Sequence, residues 1–250
     1  MIKYEILKNP KNITLDQMEK LNLNCFPEEP YNNTLFTEML KLHYWIVVAR
    51  NTPIGFAYVN MLEGQVHISR IAISNEYRRN NIGQKLLEEI IEFSSKIGSN
   101  KITLSVKENN MPAIKLYQKY HFKKSGEKHQ FIIAVGEVIK KIKNNSITAV
   151  NLSNDYESNE HRYDIRFVLE SGEVIGACQL DANFPGCSNY YLENASDHLD
   201  ESLASLVEYL SPDCNTFKII FSDQKLMKTC KDNGYKLIYS LSKMVRHTYN

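Results

Sequence analysis

The chain lacks most of what would mark a secreted, metal-bound or membrane-spanning protein. Its five cysteines (Cys25, Cys178, Cys187, Cys214 and Cys230) are scattered, odd in number and form no Cys-x-x-Cys pair. That argues against a disulfide framework and a structural zinc, and fits a reducing cytosol. No stretch approaches ~18 apolar residues, and Met1-Ile-Lys-Tyr-Glu5 has no apolar h-region, so neither a membrane span nor a leader is expected. The formal net charge is only +1, so no global field favours nucleic acid or an anionic membrane. A cytoplasmic protein of Lys/Asn/Ile-rich, bacterial-type composition is the expectation.

What is present is an ordinary globular composition, 43% hydrophobic and 24% charged, over 250 residues, enough for one large domain or two of common size. Residues 66–117 organise it. The run Val66-His-Ile-Ser-Arg-Ile-Ala-Ile73 reads as a strand that feeds the basic turn Arg78-Arg79-Asn80-Asn81-Ile82-Gly83. A helix over 83–97 follows, with Leu86, Leu87, Ile90, Ile91 and Ser94 on one face and Glu88, Glu89, Glu92 and Lys96 on the other. Its first turn offers unpaired N–H groups and a positive dipole end, where a phosphate fits. Gly83 removes a side chain where backbone must approach a ligand. Asn81 belongs to the non-glycine types that best tolerate positive φ.

The turn 78–83 resembles the acetyl-CoA signature Arg/Gln-x-x-Gly-x-Gly/Ala of the GCN5-related N-acetyltransferases (GNAT), with Asn81 in place of a glycine. The run from Asn110 through Ala113 and Tyr117 to Phe122 is similar to that family's Asn-x-x-Ala-x-x-Leu-Tyr-x-x-x-Gly-Phe, with His121 replacing glycine. Both motifs occur in order, separated by one helix and one strand. The resemblance is specific over about residues 45–135.

The chain in order predicts a strand over 2–8 and a helix from Thr14, capped by Thr14 and Gln17 as a capping box and ended by Phe26-Pro-Glu-Glu-Pro30. A second short helix is predicted over 34–43. Strands 45–50 and 54–60 form a hairpin, and 66–73 and 101–106 are further strands. Asn109 or Asn110 caps the next helix, with Pro112 in its first turn. A β-hairpin, 122–127 with 130–135, closes the domain, and 137–145 reads as its end or a linker. The fold class is α/β, a mixed twisted sheet with helices on both faces: the GNAT fold.

The pattern then returns. The run 166–180 parallels 45–59, including the pairs Ile54-Gly55 and Ile175-Gly176. Residues 218–223 parallel 101–106, 226–235 parallel 114–122, and 199–210 supply the long helix. Two tandem copies are therefore expected: residues 1–143 as the acetyltransferase domain and 144–250 as a degenerate copy. The copy lacks the phosphate turn, since nothing between Tyr190 and Leu199 matches it. Cys230 falls where Tyr117 sits, so this domain is expected not to bind CoA in the family manner.

The resemblance implies an acetyl-CoA-dependent N-acyltransferase with no metal, in which an amine attacks the acetyl thioester in a ternary complex. It implies a pyrophosphate cradle from the amides of Arg79, Asn80, Asn81, Ile82, Gly83 and Gln84, with Arg78 or Arg79 outside. The pantetheine would pair with Ile71, Ala72 and Ile73 at a bulged strand end, one N–H at or next to Ile71 facing the thioester oxygen. Asn110 and Ala113 also belong to that site. Tyr117 would serve the leaving thiolate. The general base is His67, or Glu63, or water; strict alternation would put His67 on one face with Ser69, Ile71 and Ile73. The Asn110 run is also similar to that of ribosomal-protein N-terminal acetyltransferases, so a protein α-amine stands beside polyamines, amino acids and antibiotic amines as acceptor. The second copy is expected to complete the acceptor pocket, mediate a homodimer or stabilise its partner. A non-catalytic acyl-CoA-binding or structural tandem protein is the alternative; nucleic acid is disfavoured by charge balance.

Overall fold

The computed structural model describes residues 2–27, 37, 43–62, 64–142, 145–152, 162–181 and 186–248. The chain divides into two compact units. The first holds Met1–Val106, Asn110–Ser125 and Lys243–Asn250; the second holds Lys107–Asn109 and Gly126–Ser242. The units therefore do not follow one cut at 143/144.

In the first unit, β1 (Glu5–Lys8), β2 (His43–Ala49), β3 (Thr52–Leu62) and β4 (Gln65–Ile73) form an antiparallel run. β5 (Lys101–Lys107) joins β4 in parallel. Next come residues 243–247 of β12 (Lys236–His247) and then the start of β6 (Lys123–Ala134). The expected hairpin over 122–135 is instead the single strand β6. It runs without a turn, with residues 123–125 in the first unit and 126–134 in the second.

α1 (Leu15–Cys25) starts as predicted: Thr14 Oγ1 accepts from Gln17 N–H at 3.3 Å and Gln17 Oε1 accepts from Thr14 N–H at 3.0 Å. Its Met18 and Leu21 pack with Ile46, Phe56 and Tyr58 on one sheet face. α2 (Ile82–Lys96) covers the other face. Its Ile82, Leu86, Leu87 and Ile90 are almost wholly buried, each contributing ~1.5–3 kcal/mol of burial. α3 (Met111–Lys119) starts at Asn110, whose Oδ1 accepts from Ala113 N–H at 3.3 Å, with Pro112 in the first turn. The helix expected over 34–43 lies outside the described residues but for Thr37 and His43, and His43 opens β2.

The second unit repeats the plan with β7 (Ile147–Asn151), β8 (Arg162–Leu169), β9 (Val174–Asp181), β10 (Gly186–Leu192) and β11 (Thr216–Phe221), completed by β6 and then β12. α4 (Val135–Lys141) occupies what the sequence suggests as a linker; it buries Val138 in this unit's core. α5 (Ala195–Ser205) and α6 (Gln224–Asp232) follow. The Ile-Gly pairs are explained by close approach. A Cβ on Gly55 would lie 2.9 Å from the Ala72 carbonyl oxygen, and one on Gly176 2.4 Å from that of Tyr191. Each glycine lets the neighbouring strand end pass.

Candidate active site

The site in the first unit begins with a gap. β4 and β5 pair only at Val66–Ile102, His67–Thr103 and Ile68–Leu104. β4 then continues to Ile73 and β5 to Lys107 without a shared register. The cause is on β4: Val59 faces Ile68 but Tyr58 faces Arg70, so Ser69 is an extra residue, a β-bulge. Beyond Ile68 and Leu104 the two parallel strands share no register, so β4 and β5 part on the side where the bulge lies.

The bulge also corrects the expected facing of His67. Val66 and Ile68 point into the core under α2, and after the bulge Ile71 and Ile73 point there too. His67 lies on the opposite face, with Thr103, so it does not share a face with Ile71 and Ile73. Its Nδ1 lies 2.9 Å from Thr103 Oγ1. On the same face Tyr58 O–H donates to Asn60 Oδ1 at 2.7 Å, and Asn60 Nδ2 donates to Ser69 Oγ at 3.2 Å. Arg70 donates to the buried Asn22 Oδ1 at 2.7 Å and lies 4.2 Å over the Phe26 ring. Thr103, Asn60 and Arg70 were not legible as site residues, because pairing them needs a strand register. Glu63 lies outside the described residues.

Beyond β4, a single 3₁₀ turn (Asn75–Tyr77) leads to the basic loop. Arg79 and Asn81 are left-handed, at φ 62° and 59°. Two such residues in three bend the loop backbone sharply just before the helix. Asn80 closes the loop by donating from Nδ2 to the Tyr77 and Arg78 carbonyls. Arg78 Nε donates to the Ile73 carbonyl at 2.9 Å, tying the loop to the strand end. Asn81 caps α2 by position only: its side chain makes no cap hydrogen bond, and no acidic residue sits in the first turn. A Cβ on Gly83 would meet Ile73 and Leu116 at ordinary contact distances of 3.8 and 3.9 Å. Packing within the fold therefore does not require glycine there. Gln84 accepts from Lys119 Nζ at 3.0 Å and donates to Glu88, linking α2 to α3.

Tyr117 is buried, its ring 5.7 Å from that of Phe122. Burial alone pushes its phenol well above the usual range. Among the described residues its hydroxyl makes no hydrogen bond to protein. Asn110 stands two helical turns earlier, at the start of the same helix. Cys25, at the end of α1, is raised chiefly by burial, against a hydrogen bond from Ser74 and the charges of Arg78 and Arg70.

The second unit keeps the cleft and loses the loop. β10 and β11 pair only at Gly186–Lys218 and Cys187–Ile219, and β10 carries a bulge between Ser188 and Tyr191. Only Glu193 and Asn194 separate β10 from α5, whose first turn contains Asp197. Phe122 N–H donates to the Tyr117 carbonyl, and Tyr235 N–H to the Cys230 carbonyl. Cys230 thus occupies the place of Tyr117. Among the described residues no group of three or more His, Cys, Asp or Glu is placed to hold a metal, and no helix is long and apolar enough to cross a membrane.

The acetyltransferase (GNAT) family model matches residues 15–122. An N-alpha-acetyltransferase of Saccharolobus solfataricus is 32% identical over 134 residues, 47% of this chain and 80% of that protein. The spermine/spermidine N(1)-acetyltransferase of Bacillus subtilis is 37% identical over 65 residues, 26% of this chain and 43% of that one. A tandem GNAT protein from the clavulanic acid biosynthesis pathway superposes with a TM-score of 0.71 over 99% of both chains at 11% identity, which shows the shared fold. Phosphate-type turn, split strands and buried tyrosine agree with these likenesses: the chain belongs to the acetyltransferase (GNAT) family, as an acyl-CoA-dependent N-acyltransferase built from two copies of that fold.

Proposed function

We propose that the first unit, within the expected domain 1–143, transfers an acetyl group from acetyl-CoA directly to a primary amine. The parting of β4 from β5 beyond Ile68 and Leu104 carries this reading, because it opens a strand-edge groove that ends at an uncapped helix start. The amides of Arg79, Asn80, Asn81, Ile82, Gly83 and Gln84 hold the pyrophosphate, with the Arg79 charge beside them. Backbone groups of Ile71, Ala72 and Ile73 pair with the pantetheine, and Asn110 and Ala113 border it from α3.

The acyl end reaches the bulge, with α2 on one side of the sheet. The amine therefore comes from the other face, where His67, Asn60 and Arg70 lie. Its nitrogen attacks the thioester carbon; an N–H at or next to Ile71 stabilises the charge that develops on oxygen. The carbon–sulfur bond then breaks, and the Tyr117 hydroxyl hydrogen-bonds the leaving sulfur. Its raised pKa makes it a donor rather than a strong acid. His67 takes the proton of the ammonium, oriented through Thr103. Arg70 on this face disfavours a polycationic acceptor and leaves an α-amine of a peptide or amino acid as the preferred class. The second unit, without the loop, binds no CoA; a cytoplasmic location suits the supply of acetyl-CoA.

Purified protein with acetyl-CoA and a panel of peptides, amino acids and polyamines, read by thiol release, tests this. Release that depends on an α-amine is the expected result. Acetyl-CoA binding without release for any amine contradicts catalysis and leaves a non-catalytic acyl-CoA-binding protein.

A further inference from the structure

We propose that the C-terminal segment 243–248, which lies in the first unit, holds the acyl-CoA cleft open, with Met244 as the positioning residue. This rests on the reading of the first unit as the acyl-CoA site.

A strand that gives up one edge to a ligand must stay paired on the other, or its backbone groups lose their partners. β5 is that strand. Past Leu104 it has no partner on β4. Its other edge is covered by β12. By chain position β12 belongs to the second copy, yet residues from Lys243 onward lie in the first unit. Conversely, residues 126–134 of β6 lie in the second unit, where Phe131 and Ile133 are fully buried in its core. The first unit is incomplete without residues 243–248.

The inserted strand is anchored along its length. Thr248 N–H donates to the Asn100 carbonyl at 3.1 Å, just before β5, and Thr248 Oγ1 donates to the Ser99 carbonyl. Glu108 N–H donates to the Ser240 carbonyl at 3.0 Å, just after β5. Met244 shares a core with Leu104, the residue where the cleft begins. Ser125 Oγ donates to the Lys243 carbonyl at 3.4 Å from the far side. Met244 is 2% exposed and belongs to the same core as Leu104, Val106, Tyr117 and Phe122. It therefore fixes β5 from behind, and through β5 the wall of the cleft.

The test uses the full chain, a variant lacking residues 243–250, Met244→Ala and Met244→Leu, with acetyl-CoA titrated by calorimetry. The wild type is expected to bind. The deletion should bind about tenfold or more weakly, and a synthetic peptide of residues 240–250 should restore affinity by strand addition. Met244→Ala should raise the KM for acetyl-CoA several-fold more than the KM for the amine, and Met244→Leu should restore it, since volume-conserving swaps cost little. If the deletion does not fold, the Met244→Ala and Met244→Leu pair decides. A folded deletion with wild-type affinity, one that saturating peptide leaves unrestored, or a Met244→Ala variant with unchanged acetyl-CoA KM overturns the proposal. A wild type that binds no acetyl-CoA removes the parent reading and this proposal together.

Discussion

His121 holds in the first unit the left-handed position that Gly234 holds in the second, with φ of 64° and 81°. Both follow a helix that carries the residue at the cleft, Tyr117 or Cys230. A side chain at positive φ costs roughly 1–2 kcal/mol, against ~0.5–1 kcal/mol of extra unfolded-state entropy for glycine. His121→Gly should therefore raise stability by up to about 1 kcal/mol, read as a higher urea midpoint with unchanged slope. A lower midpoint would show that the imidazole makes a contact worth more than the strain.

Tyr117→Phe keeps the ring against Phe122 and removes only the hydroxyl. Turnover should fall roughly 10²–10⁴-fold while acetyl-CoA affinity changes little. Because burial raises the phenol, it stays protonated through the working range. The rate should show no loss from tyrosine ionisation up to about pH 10, the ordinary phenol value. Near-normal turnover in the variant would make Tyr117 a packing residue.

The two strand glycines differ in what they approach. A Cβ at Gly55 first meets the flexible end of Ile73, whereas one at Gly176 meets a backbone oxygen at 2.4 Å. Gly176→Ala should cost more than Gly55→Ala, within about 1–3 kcal/mol for such overpacking. Gly55→Ala should also weaken acetyl-CoA binding, since it displaces Ile73. Thermal melts with and without acetyl-CoA separate the two effects.

Glu88 joins α2 to α3. Lys85 first, then the Tyr120 hydroxyl, hold its carboxyl down to about 2, and Tyr120 is pushed up to about 12 by burial and then by Glu88. A carboxylate lowered on folding stabilises above its unfolded pKa near 4.5 and loses that contribution as pH falls toward 2. Tyr120 acts with the opposite sign: its contribution is present below pH 10 and lost as pH rises through 12. Glu88 is about a third exposed, so screening reduces its contribution to about 1 kcal/mol. Glu88→Gln should lower the melting temperature at pH 6, and the gap from wild type should close on acidification below pH 4.5. A gap independent of pH would refute the charge as its origin.

Local signals made much of this legible. The capping box at Thr14, the 3.6-residue period of α2 and the Asn110 cap depend on neighbours in sequence, and all three stand where the sequence predicts them. The Ile-Gly pairs showed the repeat before their reason, the passage of a neighbouring strand, was visible. What stayed hidden depends on register or on distant chain. Ser69 gives no sign that it is a bulge, so strict alternation put His67 on the wrong face. The apolar runs of β6 and β12 could not show that each crosses into the other copy. For the same reason local pattern suggests a hairpin where β6 is one continuous strand.

Calorimetric titration with acetyl-CoA, of the wild type and an Asn81→Asp, Gly83→Asp double variant, tests the central claim most directly. The variant should fold, since Asp also tolerates the left-handed region and the fold leaves room at position 83. The account predicts one site per chain in the wild type and its loss in the variant, where two carboxylates face the phosphate. No binding by the wild type, two sites per chain, or undiminished binding by the variant would contradict it.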